Sequence, residues 1–254
     1  MSEYHVIQTG TTKRDAGCWW SGIPWSTYSA WPDKRDREQQ VTIGINSLLL
    51  EMGGMRVLVD TGMGHHAGSD SLSSPWRLLK GLRQLGISRD EIGLVIVTNP
   101  GLEHCGGITD RRQVLTTVNM PPRALPTFKR ATLLGHVAAQ DVEDVGLITE
   151  PLVTGTILPG LSVEQMDGSY VVRATVGGER LLFVSDVIPT WQHLLLDCLP
   201  SSTPDRPRAI VLKQRLTDEA LAQGSLMIFA HGLSVRSAYI EQTRDGMRVR
   251  SQEK

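Results

Sequence analysis

From Val41 to Met52 polar and apolar side chains first alternate and then give way to aliphatics, and Met55 to Asp60 repeats the pattern. A period of two predicts strands, and Gly53-Gly54 between them predicts a hairpin turn. Asp60-Thr61-Gly62-Met63-Gly64 then leaves the second strand as a loop. Leu78, Leu79, Leu82 and Leu85 fall at helical spacing within Pro75 to Leu85, a helix that closes at Gly86. Leu94 to Thr98 is a short unbroken apolar run, as in a strand covered on both faces, and Asn99 to Gly107 follows as a loop. Further strands are predicted over Ala131 to Leu134, Leu161 to Glu164, Tyr170 to Val176 and Arg180 to Val184, the last two joined at Gly177-Gly178. Helices are predicted over Val137 to Val145 and Leu216 to Gln223. Leu226 to Ala230 reads as a final buried strand ending at His231.

Ahead of these elements, Gly17 to Asp33 gathers Trp19, Trp20, Trp25 and Trp31 among Gly, Ser and Pro, four of the six tryptophans of the chain. Indoles in such a stretch cover a core edge, or they form a substrate lid or a homodimer contact. No composition break marks a linker. The element order reads as one layered α/β domain over residues 1–254.

Composition narrows the function classes. Among 254 residues, 40% are apolar and 21% charged, which excludes a disordered or fibrous chain. With 26 basic and 27 acidic side chains the formal charge is -1, so no global field favours nucleic acid or an anionic membrane. No apolar run approaches the roughly 20 residues that cross a bilayer. The first residues lack a secretory signal pattern, and a cytoplasmic protein is expected. Cys18, Cys105 and Cys198 are too scattered for a disulfide framework or a Cys-x-x-Cys metal site. There is no Gly-rich phosphate loop, and the short basic clusters at Arg111-Arg112 and Arg244 to Arg250 read as solvated faces.

Chemistry is expected at the ends of buried strands, where the backbone is rigid and the following loop is free to vary. Four such ends carry polar residues: Asp60; Asn99 with Glu103 and His104; Asp186; and His231. Each of Asp60, Asp186 and His231 follows aliphatic residues and is expected to emerge at a sheet rim. A lone aspartate there is ordinarily a turn or helix cap, a reading that the joint occurrence weakens.

These residues resemble the metallo-β-lactamase-fold superfamily, and within it the lactonase-like branch related to quorum-quenching hydrolases. Val57-Leu58-Val59-Asp60-Thr61-Gly62 is similar to that family's strand and Asp-x-Gly turn. Leu85-Gly86-Ile87 through Ile96-Val97-Thr98 resembles the approach to its metal loop, and Gly106-Gly107 the loop's close. Arg180-Leu181-Leu182-Phe183-Val184-Ser185-Asp186 resembles the strand that delivers the bridging aspartate, and Phe229-Ala230-His231 the strand that delivers the last histidine. The resemblance covers nearly the whole chain and implies an αβ/βα four-layer sandwich.

The family's metal signature is altered. Where its loop reads His-x-His-x-Asp-His, this chain has Asn99-Pro100-Gly101-Leu102-Glu103-His104. A third family histidine falls near Gln165 or Ser169. The three-imidazole half of the family's two-metal site is therefore not expected to form. The other half maps onto Glu103, His104, Asp186 and His231, donors that suit Zn, Mn or Fe(II) and that would lower the pKa of a bound water. Glu103 is one methylene longer than the aspartate it replaces, a reach change of about 1.5 Å against a tolerance of ~0.2 Å.

Three readings stand. One is a hydrolase of a small carbonyl compound, a lactone, ester or thioester, with at most one divalent ion on those four residues. A second is a metal-free cyclase, isomerase or dehydratase in a biosynthetic pathway, using Glu103, His104, Asp186 or His231 as acid and base. The third is a catalytically inactive protein that binds a small molecule. Asn99, His65, His66, Tyr170 and Trp25 are the candidates for the substrate pocket, against ordinary roles as loop or core residues. Cys105 adjoins His104, but the two glycines after it favour a packed loop over a nucleophile. His136 and His193 read as structural.

Overall fold

The structure, a computed structural model, describes residues 3–33, 35–64, 77–110, 125–135, 149–244 and 246–252. Its elements run β1 (Tyr4–Asp15), α1 (Ala16–Trp19), α2 (Trp25–Tyr28), β2 (Gln40–Met52), β3 (Met55–Val59), α3 (Arg77–Gln84), β4 (Ile92–Val97), α4 (Leu102–Cys105), β5 (Thr109–Asp110), β6 (Leu125–Pro126), β7 (Thr132–Gly135), β8 (Thr149–Glu150), β9 (Gly155–Leu158), β10 (Leu161–Met166), β11 (Ser169–Val176), β12 (Glu179–Phe183), α5 (Arg206–Gln223), β13 (Leu226–Ile228), β14 (Ser237–Thr243) and β15 (Gly246–Ser251). The strands form two mixed sheets and a two-stranded ribbon of β5 and β6. Two compact units result, Met1–Gly10 with Asn46–Val153 and Thr11–Ile45 with Thr154–Lys254.

The six-stranded sheet has the order β1-β2-β3-β4-β7-β8. Gly53 and Gly54 both take positive φ, 56° and 79°, as a tight primed turn requires, and they pair Met52 with Met55 and Leu48 with Val59. β4 lies parallel to β3 with Leu58 opposite Val95, and both strands are buried throughout their C-terminal halves. That two-sided burial is why Leu94 to Thr98 shows no alternation. Leu78 and Leu82 of α3 pack into the first unit's core with Leu49, Leu58, Val95 and Val97, each worth about 1.5–3 kcal/mol for its burial.

The seven-stranded sheet has the order β15-β14-β13-β12-β11-β10-β9. Its single parallel pair, β12 with β13, sets Phe183 opposite Ile228. Asp186 and His231, three residues beyond each, therefore leave neighbouring strands at the same rim. α5 starts at Asp205, whose side chain accepts from the backbone N–H of Arg208, and stops at Gly224 with φ 62°. It buries Ala209, Lys213, Leu216, Thr217 and Ala220.

Four of the differences from the expectation have a local cause or bear on the site. β1 is a strand of 12 residues where none is predicted, because Thr9 and Thr11 fill buried positions and hide the alternation. α5 begins ten residues before Leu216, because the inward position one turn earlier is a lysine. The strand ending before His231 is not the last, since β14 and β15 pair over Ala238 to Ser251. Asn99 to Gly107 contains the short helix α4. The predicted helix Val137 to Val145, His136 and Arg111-Arg112 lie outside the described residues. Among the described residues, no helix is long and apolar enough to cross a membrane.

Candidate functional site

The first unit builds its chemistry around His104. β3 ends at Val59, and Asp60 then turns into left-handed backbone with φ 59°, a conformation that costs a residue with a Cβ of order 1 kcal/mol. The carboxylate is 1% exposed and accepts from Thr98 N–H and Thr98 Oγ1, both at 2.8 Å. It also lies 2.7 Å from His104 Nδ1. A carboxylate only accepts, so Nδ1 carries a proton. Thr61 N–H donates to the His104 carbonyl at 2.7 Å, and Gly107 N–H to the Gly62 carbonyl at 2.9 Å. A Cβ on Gly107 would sit 2.2 Å from the Thr61 carbonyl oxygen, so this backbone approach requires glycine. Cys105 is buried in the same packed turn and its thiol donates to the Pro100 carbonyl.

The second unit builds around His231. Its Nδ1 lies 3.1 Å from the Gly44 carbonyl oxygen, which only accepts, so Nδ1 is again the protonated nitrogen. Nε2 lies 3.0 Å from Asp186 Oδ1. An imine nitrogen and a carboxylate oxygen both present lone pairs; a proton on Nε2 or a cation between the two atoms is what makes that spacing favourable. His231 is buried, whereas the Asp186 side chain is 36% exposed. The rim position expected for all three strand-end residues thus holds only for Asp186: Asp60 and His231 are enclosed.

Behind His231 stands an aromatic layer. Trp19 meets His231 edge-on, with centroids 5.8 Å apart and planes at 84°, and meets His193 at 5.1 Å and 75°. His193 is fully buried; its Nε2 donates to the Trp19 carbonyl at 3.0 Å and its Nδ1 lies 2.7 Å from Thr190 Oγ1. Burial, with the Lys213 charge adding to it, pushes its pKa down to about 3, so the ring is neutral. Lys213, also fully buried, donates to the carbonyls of Leu195, Leu196 and Cys198 at 2.7, 3.0 and 2.7 Å, and burial lowers its pKa to about 8. Lys213 is not among the sequence candidates, because a lysine at a helical position reads as solvent-facing; its place one turn before Leu216 on the apolar face is the available signal.

The remaining candidates disperse. Glu103 is half-buried on α4 beside His104. Asn99 Oδ1 accepts from Gly101 N–H at 2.8 Å, a local turn. Gln165 is exposed, and Ser169 faces Met166 across the Asp167-Gly168 turn. Tyr170 is buried on β11, where desolvation raises its pKa. Of the four clustered indoles Trp20 is 1% exposed and packs with Tyr28 and Trp31, while Trp25 is 61% exposed beneath the Arg35 guanidinium. His65 and His66 lie outside the described residues.

The family model described as the metallo-beta-lactamase superfamily matches residues 42–231. Among solved structures, a probable metal-dependent hydrolase from Staphylococcus aureus is 15% identical with a TM-score of 0.80, covering 100% of this chain and 98% of that one. AidC, a dizinc quorum-quenching lactonase in complex with a product, N-hexanoyl-L-homoserine, is 14% identical with a TM-score of 0.77, covering 100% and 95%. A quorum-quenching N-acyl homoserine lactone lactonase is 16% identical with a TM-score of 0.66, covering 91% and 92%. No curated protein matches the sequence. At these identities the structural likeness establishes the fold.

Proposed function

The chain belongs to the metallo-β-lactamase superfamily, and from that premise we propose that it hydrolyses a small carbonyl compound, a lactone, ester or thioester, with one divalent ion at most. The ligands in this proposal are the four donors that the family resemblance assigns, Glu103, His104, Asp186 and His231. AidC carries two zincs. Here the family's three imidazoles are replaced: Asn99 is folded onto Gly101, Gly101 has no side chain, and Gln165 and Ser169 are not histidines.

The donors fit an ion of the zinc class. His104 and His231 both hold their protons on Nδ1 against fixed acceptors, which orients each Nε2 lone pair as a metal-binding imidazole requires. Asp60 fixes the ring of His104. Asp186, the exposed member, is the carboxylate placed to accept a proton from an incoming water or to return one to a leaving alcohol or thiol. A bound ion supplies Lewis acidity and a lowered pKa for its water. The observation that carries the reading is the 3.0 Å approach of His231 Nε2 to Asp186 Oδ1.

The same approach supports a second reading, in which the intervening charge is a proton and the His231 imidazolium with Asp186 does metal-free acid–base chemistry. Metal analysis of protein purified without chelator, with a panel of lactones, esters and thioesters, separates the two. About one equivalent of metal and turnover lost in His231→Ala supports the hydrolase; less than about a tenth of an equivalent, with stability unchanged by EDTA, removes it. Turnover that persists without metal supports the second reading.

A further inference from the structure

Resting on the reading of His231 as a member of the reacting centre, we propose that Trp19 and His193 are positioning residues that hold the plane of the His231 imidazole. The Gly44 carbonyl accepts from Nδ1 at 3.1 Å, and Nε2 lies 3.0 Å from Asp186, so one of these polar contacts is to main chain and the other to a part-exposed side chain. The edge-on indole of Trp19 at 5.8 Å and 84° adds a packing restraint on the ring. The indole is not held by its own polar atom, because Trp19 Nε1 is buried without a hydrogen-bond partner. It is held through its main chain and through His193: the buried His193 donates Nε2–H to the Trp19 carbonyl and packs edge-on against the same ring. Thr190 Oγ1, 2.7 Å from Nδ1, fixes the tautomer that makes this bond.

The strand of contacts continues outward. The short turn Trp191–Leu194 that carries His193 leads into the carbonyls of Leu195, Leu196 and Cys198, all three gripped by Lys213. The aromatic segment is stitched to the same loop, with Ser201 N–H donating to the Cys18 carbonyl at 2.7 Å and Leu199 N–H to the Ser21 carbonyl at 3.1 Å. Two separate stretches of chain, 16–33 and 190–201, thereby meet at one indole whose edge lies on His231. The segment rich in tryptophan is in this view part of the site's scaffold.

Trp19→Leu removes the ring; Trp19→Phe keeps an aromatic edge while losing the unpartnered Nε1 and the second ring of the indole; His193→Gln removes the imidazole beneath the carbonyl. Nitrogen-15 spectra of the histidines in metal-free protein, and calorimetric titration with Zn2+, read the result. In the wild type and in Trp19→Phe, His231 is expected to give one set of ring-nitrogen signals with a proton fixed on Nδ1. In Trp19→Leu and, to a smaller degree, His193→Gln, the two nitrogens should average and Zn2+ affinity should fall by about tenfold. An unchanged His231 signature in Trp19→Leu overturns the proposal, as does equal loss in Trp19→Phe. If the signature changes as expected while wild-type protein binds no Zn2+, the positioning role stands and the metal reading of the centre falls.

Discussion

His104 and His231 hold the same proton on the same nitrogen by opposite means. His104 leans on a carboxylate that is 1% exposed and itself saturated by Thr98; His231 leans on a neutral main-chain carbonyl and faces a carboxylate open to solvent. A buried carboxylate gives a strong, directional partner at the cost of desolvation, offset here by three hydrogen bonds, with the left-handed backbone at Asp60 a further cost. A carbonyl carries no such cost but grips less, and the second unit compensates with packing: an indole, a second imidazole and a buried ammonium. The first arrangement concentrates its orientation in one side chain. The second spreads it over a loop.

The largest effect should come from breaking the distributed side at its root. Lys213→Met leaves three carbonyls without their donor, and the expected loss is about 3 kcal/mol, read as a lower denaturant midpoint at unchanged slope. Stability as a function of pH tests the same region next. His193 protonates near 6.5 when unfolded and near 3 when folded. Between those values the unfolded chain binds a proton that the folded one refuses, so this contribution is complete above about pH 6.5 and declines by about 1.4 kcal/mol per pH unit as pH falls toward 3. His193→Gln should flatten that slope in acid-unfolding curves; an unaltered slope would show that other groups carry it. The concentrated side is tested by Asp60→Asn. Asparagine tolerates the φ of 59° and keeps an acceptor for Thr98, but turns an amide toward His104 Nδ1. Stability should change by no more than about 1 kcal/mol, while divalent-metal affinity falls by about 10–100-fold in a direct titration.

The contrast also explains what the sequence made legible. Strands with aliphatic side chains at buried positions, β2, β3, β4 and β12, and the hairpin at Gly53-Gly54 follow from pattern alone, and so do the strand-end positions of Asp60, His104, Asp186 and His231. β1 escaped because threonines occupy buried positions, and the first half of α5 because Lys213 does. Both bury polar side chains, and Lys213 does so by hydrogen bonding to three carbonyls, which a hydropathy pattern cannot register. The partnership of Asp60 with His104 needed the fold, since 44 residues separate them. The roles of Trp19 and His193 are still less visible, 174 residues apart and joined through a main-chain oxygen.

That oxygen has a consequence for how this protein tolerates change. Every residue type carries a carbonyl, so the anchors at positions 19 and 44 survive any side-chain replacement that leaves the local path of the chain intact. Substitution scanning would pass over them, whereas inserting or deleting a single residue between 19 and 44 would displace both at once. The vulnerability of this half of the protein lies in spacing, not in spelling.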